Sequence, residues 1–453
     1  MKNILSTIFS ILCLNSFAQS GENLDLLFHW DDENIVGTTW YDNAYNEIWG
    51  LVVDGREFAI IGSTAGTHIF DVTDAVNSEQ VQFIPGNAVG PAIVHRDYHD
   101  RNGYMYAVSD EGNSTLQIID ISQLPDTAIV VYDSNELIKT SHNIFIDEGK
   151  DILYACNVRN GSGGWATSLV IFDIQDPLNP THLLDYAIPT GGGVHDMWVK
   201  NDTAFLNNGN NGLYVIDFSD LSNPSIIGSL IEYPDKGYNH SGWPTADMNT
   251  YIMADEDWGY DMKVLDISNL SNISVIATFS SEVHANSIPH NQIVKGNHVY
   301  VSSYHDGLQV YNISDPTNPI KVAYFNTYLL GDHTSYRGAW GVYPLLPSGN
   351  ILVSDMQYGL YVLAPSGNFN LNNAIEEDLS IYPNPAQSSF QVKLPDEDYN
   401  LQMKIYDSKG NLVLQKASIQ ASEAINIESL NTGLYWINIE GEKATYQQKL
   451  IKL

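Results

Sequence analysis

Cysteine, basic side chains and long apolar runs are all scarce in this sequence. The 453 residues include two cysteines, and one of them, Cys13, lies in an apolar leader, so Cys156 has no partner for an internal disulfide. Only 20 Lys and Arg oppose 54 Asp and Glu, which gives a formal charge of −34. Such a field repels nucleic acid and anionic lipid, and no later segment is long and apolar enough for a transmembrane helix. We therefore expect no nucleic-acid partner and no transmembrane segment.

The N-terminus has the pattern of a secretory signal peptide. Lys2 supplies a positive start, a mostly apolar stretch continues to Leu14, and Ala18 is the small residue that signal peptidase requires before its cut. The pattern predicts a signal peptide over residues 1–18 and export of the remainder.

A short apolar strand that ends in an acidic residue recurs along the chain. LVIFDIQD at Leu169–Asp176 and LYVIDFSD at Leu213–Asp220 are two of its copies. The copies are separated by 44 to 53 residues, and each repeat has four strand-like runs between turns rich in Gly, Asn, Asp and Pro. This period without a helical pattern is typical of β-propellers. The positions that follow each apolar strand are Asp71, Asp120, Asp173, Asp217, Asp266, Asn312 and Ala364.

The strand count predicts how the propeller closes. The seventh repeat has three strands, while Leu24–Trp30 has no repeat of its own. Pairing this segment with the last blade would close the ring and remove an exposed sheet edge. The sequence therefore predicts an all-β, seven-bladed β-propeller over residues 22–366. Its repeats resemble LVIVD repeats, and Leu24–Ser366 resembles the choice-of-anchor B proteins, a resemblance that implies an exported propeller without a general activity.

A different composition begins after a predicted linker at residues 367–375. YPNP at Tyr382–Pro385, GLYW at Gly433–Trp436 and a basic C-terminus occur among alternating strands and Gly turns, a pattern that predicts a small β-sandwich. Residues 376–453 resemble the type A sorting domain of the type IX secretion system. The resemblance implies that the type IX machinery is a partner of residues 376–453. It also implies transport through the periplasm and across the outer membrane, to the cell surface or into the medium.

A second periodic feature lies at the start of the first strands, which line the central channel of a propeller. Units two to six have a histidine there, and units one and seven have tryptophan: His95, His142, His195, His240, His290, Trp49 and Trp340. The loops between second and third strands on the same face carry carboxylates: Asp110 and Glu111, Asp255 to Asp257, Asp306 and Asp355. These residues predict either a calcium or transition-metal site, with the five histidines, Asp110, Asp255 and Asp355 as ligands, or a polar ligand against Trp49 and Trp340.

A structural interpretation of the histidines competes with the metal site. Because every blade needs the same brace, repetition favours a hydrogen bond that ties one blade to the next. The acidic hairpin Asp255–Asp261 lacks the order of an EF-hand loop, and no G-x-S-x-G, H-E-x-x-H or Walker motif occurs. We therefore expect a surface protein with a binding or structural role and a glycan or protein ligand, rather than an enzyme. The alternative is a metal-assisted hydrolase or lyase that uses the histidines at the channel mouth.

Overall fold

The structure, a computed structural model, divides the chain into two compact units between residues 370 and 371. The predicted signal peptide (1–18) and linker (367–375) lie outside the residues that it describes. The described residues are 21–147, 149–162, 166–189, 191–330, 333–366, 380–393, 402–407, 412–419, 424–440 and 445–453.

The first unit consists of seven antiparallel sheets in which neighbouring strands follow one another in sequence, except where the two N-terminal strands join the sixth and seventh sheets. Two short strands precede the first sheet: β1 (Gly21–Glu22) and β2 (Leu24–Trp30). The strands of blade 1 are β3 (Tyr45–Val53), β4 (Arg56–Ser63), β5 (Gly66–Asp71) and β6 (Glu79–Pro85). Those of blade 2 are β7 (Arg96–Arg101), β8 (Tyr104–Ser109), β9 (Leu116–Asp120) and β10 (Ile129–Ser134). Those of blade 3 are β11 (Ile144–Asp147), β12 (Ile152–Val158), β13 (Thr167–Asp173) and β14 (Thr181–Tyr186).

The remaining four blades repeat this arrangement. Blade 4 has β15 (Asp196–Lys200), β16 (Thr203–Asn207), β17 (Leu213–Asp217) and β18 (Ser225–Leu230). Blade 5 has β19 (Asn239–Pro244), β20 (Thr250–Asp255), β21 (Met262–Asp266) and β22 (Ser274–Phe279). Blade 6 has β23 (Gln292–Lys295), β24 (His298–Ser302), β25 (Leu308–Asn312) and β26 (Ile320–Phe325). Blade 7 has β27 (Ala339–Tyr343), β28 (Ile351–Asp355) and β29 (Gly359–Pro365).

The repeated acid ends the third strand of each of the first six blades. Its side-chain oxygen accepts a hydrogen bond from the backbone N–H two residues later, at 2.8 to 3.0 Å in all six copies. A short polar side chain that bonds its own backbone fixes the turn toward the fourth strand. Asn312 makes the same bond as the aspartates, which explains why the sixth repeat tolerates the change.

The N-terminal strand completes the last blade, as the sequence predicted. Strand β2 pairs antiparallel with β29, from Leu24 opposite Pro365 to Trp30 opposite Leu360. The Trp30 ring also packs against Phe70 of blade 1, with ring centroids 4.8 Å apart. The seven-bladed ring and its closure are therefore confirmed. The pairing of β1 with β26, which adds a fifth strand to blade 6, was not predicted.

The core of the propeller lies between neighbouring blades. Tyr154 and Ile171 of blade 3, for example, pack with Met197 and Leu206 of blade 4 in one buried cluster. Among the described residues the helices are two 3₁₀ turns, Ala75–Asn77 and Leu270–Asn272. The same residues contain no helix with the length and apolar character needed to cross a membrane.

The second unit contains two sheets that share one apolar core, as expected of a β-sandwich. Buried Phe390 of one sheet and buried Ile405 and Ile437 of the other belong to the same cluster. The three-stranded sheet consists of β30 (Ser380–Tyr382), β31 (Ser389–Lys393) and β34 (Ala424–Asn426). The four-stranded sheet consists of β32 (Gln402–Asp407), β33 (Leu412–Lys416), β35 (Gly433–Glu440) and β36 (Thr445–Lys452).

Candidate functional site

Six aromatic side chains form a closed ring around the central channel. Five are the predicted histidines, each within two residues of the start of a first strand. The sixth is Trp340 of β27, which completes the ring because blade 1 contributes no side chain to it. We call His95, His142, His195, His240, His290 and Trp340 the channel ring. The successive ring centroids are 4.9 Å (His95–His142), 4.1 Å (His142–His195), 4.1 Å (His195–His240), 4.5 Å (His240–His290), 4.5 Å (His290–Trp340) and 5.2 Å (Trp340–His95) apart.

Trp49 does not lie in this ring. Its indole Nε1 donates to Asp100 Oδ1 at 2.7 Å, and its ring packs against His99 with centroids 4.5 Å apart. The Trp-Gly pairs of blades 1 and 7 look equivalent in sequence, but Trp340 follows the start of its strand by one residue and Trp49 by four. Both strands have a one-residue register shift near their start, between Tyr45 and Ile48 and between Ala339 and Gly341, so this difference in position remains. Trp49 therefore lines the channel at another level.

The loop between β8 and β9 brings two carboxylates to the channel ring. His142 Nδ1 lies 2.8 Å from Asp110 Oδ2, so Asp110 reaches the channel ring. Glu111, which the predicted ligand set omitted, contacts His95 Nδ1 through Oε1. Its Oε2 accepts the backbone N–H groups of Val94 and His95 at 3.0 Å each. Glu111 is therefore held by the backbone and orients His95.

Asp255 and Asp355 lie outside the channel ring, in contrast to the predicted ligand set. Asp255 forms an ion pair with Lys263, 2.8 Å from its Nζ, and neither side chain has exposed area. Asp355 Oδ1 accepts the backbone N–H groups of Gln357 and Tyr358 and so closes a turn. Both aspartates end a second strand, and side chains alternate between the faces of a strand, so the next residue in sequence is better placed to reach the channel.

Glu256, one residue beyond Asp255, is the carboxylate that blade 5 contributes. Its Oε2 lies 3.6 Å from His240 Nε2, and its Oε1 accepts a hydrogen bond from the buried Tyr304 hydroxyl at 2.5 Å. Tyr304 comes from blade 6 and has no counterpart in the other repeats, so periodicity carried no signal for it. The acidic run Asp255–Asp257 was a signal for Glu256, but the sequence does not show which of its members faces inward.

Two sets of three side chains in this region have the composition of metal sites. In each set, two histidines and one carboxylate offer ligand atoms that all lie within 4.8 Å of one another. The first set is His95, Asp110 and His142, and the second is His195, His240 and Glu256.

The charge states differ around the ring. Burial, together with the neighbouring imidazoles, holds the pKa of His195 and of His240 well below the usual value, and burial lowers the pKa of His290 to about 3. These rings are neutral at pH 7, the form that binds metals. Burial also disfavours a charge on His142, but the hydrogen bond and charge of Asp110 outweigh it, so the pKa of His142 is raised. Burial raises the pKa of Glu256 to about 7.

The structural brace that repetition favoured occurs at His290. Its Nδ1 contacts the backbone carbonyl of Trp340 in the next blade. The Nδ1 atoms of His195 and His240 are buried and have no hydrogen-bond partner among the described residues. Their rings nevertheless interact with the backbone of His240 and of His290 respectively, the same next-blade relation that His290 has with Trp340.

Behind the channel ring lies a second layer of buried carboxylates that the sequence-based prediction missed. Glu47, Asp97 and Asp196 line the channel beside the ring and also a cavity of about 540 Å³ that contains Trp49 and Trp243. Burial raises the pKa values of Glu47 and Asp196 to about 7. For two of them the sequence signal was the position relative to a repeated histidine. Asp196 directly follows His195, and Asp97 follows His95 by two residues.

Glu47→Gln is expected to stabilise the metal-free protein at alkaline pH. Burial, with a contribution from the charge of Asp196, raises the pKa of Glu47 to about 7, so the folded state holds a proton that the unfolded state releases at lower pH. Stability therefore falls as pH rises through 7, and glutamine removes this loss. Denaturant unfolding should show a gain on the order of 3 kcal/mol at pH 9 and little change at pH 5.

Glu79→Gln, on the exposed edge strand of blade 1, is the control and should change stability little at either pH. Equal stability of Glu47→Gln and wild type at pH 9 would show that Glu47 ionises without penalty.

Two family models match the chain. LVIVD repeats match residues 191–231, 251–280 and 291–327, and a secretion system C-terminal sorting domain matches residues 380–453. The predicted LVIVD repeats and the predicted sorting domain are both confirmed. The sorting domain indicates export to the cell surface or secretion.

The remaining comparisons are more distant. Beta-agarase A of Zobellia galactanivorans is 30% identical over 72 residues, which are 16% of this chain and 13% of the agarase. The solved structures of U3-55K and of the RRP9 WD40 repeats each have a TM-score of 0.53 and 8% identity over 76% of this chain. The matched regions cover 98% of the U3-55K chain and 97% of the RRP9 chain. At this identity the likeness shows the propeller fold alone.

Proposed function

We propose that this protein is a binding propeller, delivered by type IX secretion to the cell surface or the medium, whose channel ring binds a divalent transition-metal ion. The sorting domain supports the route, and the set of His195, His240 and Glu256 supports the activity. A glycan or protein ligand of the propeller stays a prediction.

The set of His195, His240 and Glu256, whose ligand atoms all lie within 4.8 Å of one another, carries the proposal. Imidazole with one carboxylate suits Zn²⁺ and other transition metals, whereas Ca²⁺ prefers six to eight oxygen ligands. The site therefore favours a transition metal over calcium.

A solvent-accessible cavity adjoins this ligand set. It has a volume of about 490 Å³ and is lined by the channel ring, Glu256 and three tyrosines, Tyr41, Tyr304 and Tyr336. Three protein ligands leave coordination positions open for water or a bound molecule. The arrangement fits a small polar ligand that reaches the ion from this cavity.

Zn²⁺ is expected to stabilise the chelator-treated protein, and His240→Ala is expected to reduce this effect strongly. At a free ion concentration 100 times Kd, binding adds about 2.7 kcal/mol to the free energy of unfolding. Thermal unfolding with Zn²⁺ and with chelator measures the difference.

His182→Ala is the matched control, because His182 is an exposed histidine of β14 that pairs with Asp185 at 2.9 Å. It should leave the Zn²⁺ response unchanged. An equal response in His240→Ala and wild type would contradict the proposal.

A metal-assisted hydrolase or lyase is the second candidate. The observation that favours it is the cavity, because an ion with open positions beside it could activate a water molecule. Screens against ester, phosphoester and glycoside substrates should be run on chelator-treated and Zn²⁺-loaded protein. Turnover that depends on Zn²⁺ supports the enzyme, and stoichiometric Zn²⁺ without turnover supports the binding protein.

A further inference from the structure

We infer that the channel ring holds two transition-metal ions side by side, one in each set of two histidines and a carboxylate. The inference rests on the proposed metal-binding function and adds a second site at His95, Asp110 and His142. Its ligand atoms meet the same 4.8 Å limit as those of His195, His240 and Glu256.

The second site has a preformed ligand pair. His142 Nδ1 and Asp110 Oδ2 are 2.8 Å apart and share a proton in the metal-free protein. Metal ligands must be deprotonated, so an ion that binds here displaces that proton. His95 supplies the third ligand from the neighbouring position of the ring, with its centroid 4.9 Å from that of His142.

Each ligand set also has a group that orients one of its members. Glu111 contacts His95 Nδ1 and is itself held by two backbone N–H groups, which leaves Nε2 of His95 as its metal-binding nitrogen. The Tyr304 hydroxyl bonds Glu256 in the other set. Carboxylates and hydroxyls that fix ligands in this way are a regular feature of metal sites in proteins. An accidental cluster of histidines would not need them.

Carboxyl groups surround the channel ring. Asp110, Glu111 and Glu256 contact the histidines, and Glu47, Asp97 and Asp196 lie just behind them. One basic side chain, Arg96, lines this part of the channel among the described residues, and it bonds backbone carbonyls at 2.7 Å. Both ligand sets therefore have carboxyl groups in contact with them or directly behind them, an environment that suits bound cations.

The two sets are adjacent. His142 and His195, which belong to different sets, have ring centroids 4.1 Å apart, and the histidines of both sets line the same cavity. His290, the remaining histidine, is bonded to the Trp340 carbonyl and belongs to neither set. The ring therefore provides for two ions and not for a third.

The number of bound ions tests the inference. Purified, chelator-treated protein is titrated with Zn²⁺ by calorimetry, and the bound metal is measured by elemental analysis after gel filtration. We expect two ions in the wild type, one in His142→Ala, one in His240→Ala and none in the double variant. His182→Ala should keep two. Circular dichroism with chelator checks that each variant folds, and Asp110→Asn, expected to bind one ion, replaces His142→Ala if that variant does not.

The same experiment distinguishes failure of the second metal site from failure of the proposed metal-binding function. One ion in the wild type that His240→Ala abolishes and His142→Ala retains would overturn the second site and leave the proposed function intact. One ion that both variants abolish would mean a single shared site and would also overturn the inference. No bound ion, or two ions in every variant, would overturn both proposals.

Discussion

Deleting residues 21–30 is expected to destabilise the propeller by ~5 kcal/mol or more. The deletion removes the strand that completes blade 7 and three side chains, Leu27, Phe28 and Trp30, that pack in the cluster between blades 7 and 1. It also exposes the edge of β29, a site for aggregation. Denaturant unfolding followed by tryptophan fluorescence measures the loss.

Two single variants test the same interface without deleting backbone. Leu27 packs against the core cluster, whereas the neighbouring Leu26 is 40% exposed. Leu27→Asp should destabilise the protein by about 3 kcal/mol, because it places an unpaired charge in an apolar contact. Leu26→Asp should change stability by less than about 0.5 kcal/mol. A synthetic peptide of residues 21–30 should partly restore the deletion variant, and wild-type stability of that variant without peptide would refute the closure.

Lys263→Met is expected to destabilise the protein by about 3–5 kcal/mol. Lys263 and Asp255 form an ion pair in which both side chains are fully buried, so removal of the ammonium group leaves an uncompensated carboxylate. The double variant Lys263→Met with Asp255→Asn should recover most of the loss, because the amide oxygen can still accept from the Gly237 N–H and the amide NH2 can donate to the Tyr233 hydroxyl oxygen. Denaturant unfolding of both single variants and the double variant completes the cycle.

The same variants separate structure from metal binding. Since Asp255 faces its lysine and not the channel ring, Asp255→Asn should leave the Zn²⁺ stoichiometry unchanged. Additive losses in the double variant would mean that the two charges do not interact, and a lost ion in Asp255→Asn would return this residue to the ligand set.

Most of the propeller could be predicted from its repeats because each repeat contains its own turn chemistry. Each repeat was predicted to have four strands, and each of the first six blades takes four strands from its own repeat. The repeated acid marks the end of the third strand because its oxygen bonds the backbone two residues later. The pairing of β1 with β26 was missed because two residues carry no pattern.

The candidate site could be predicted only in part. The histidines recur with the blades, so their convergence followed from the fold. Which carboxylate joins them depends on strand alternation at one residue, as Asp255 and Glu256 show. Which tryptophan joins them depends on its distance from the start of its strand, as Trp49 and Trp340 show. Tyr304 and Glu47 occur once each and could be assigned to the channel only from coordinates.

The antiparallel pairing of β2 with β29 also determines how the ring responds to mechanical load. We call this strand pair the clasp. Its first and last residues in sequence, Leu24 and Pro365, lie opposite each other at the same end of the pair. A pull between them would act on one hydrogen-bonded pair at a time and peel the strands apart, whereas shearing would load all pairs together. Under tension between its two ends, the propeller therefore opens first at the clasp, while the other six blades keep their strands.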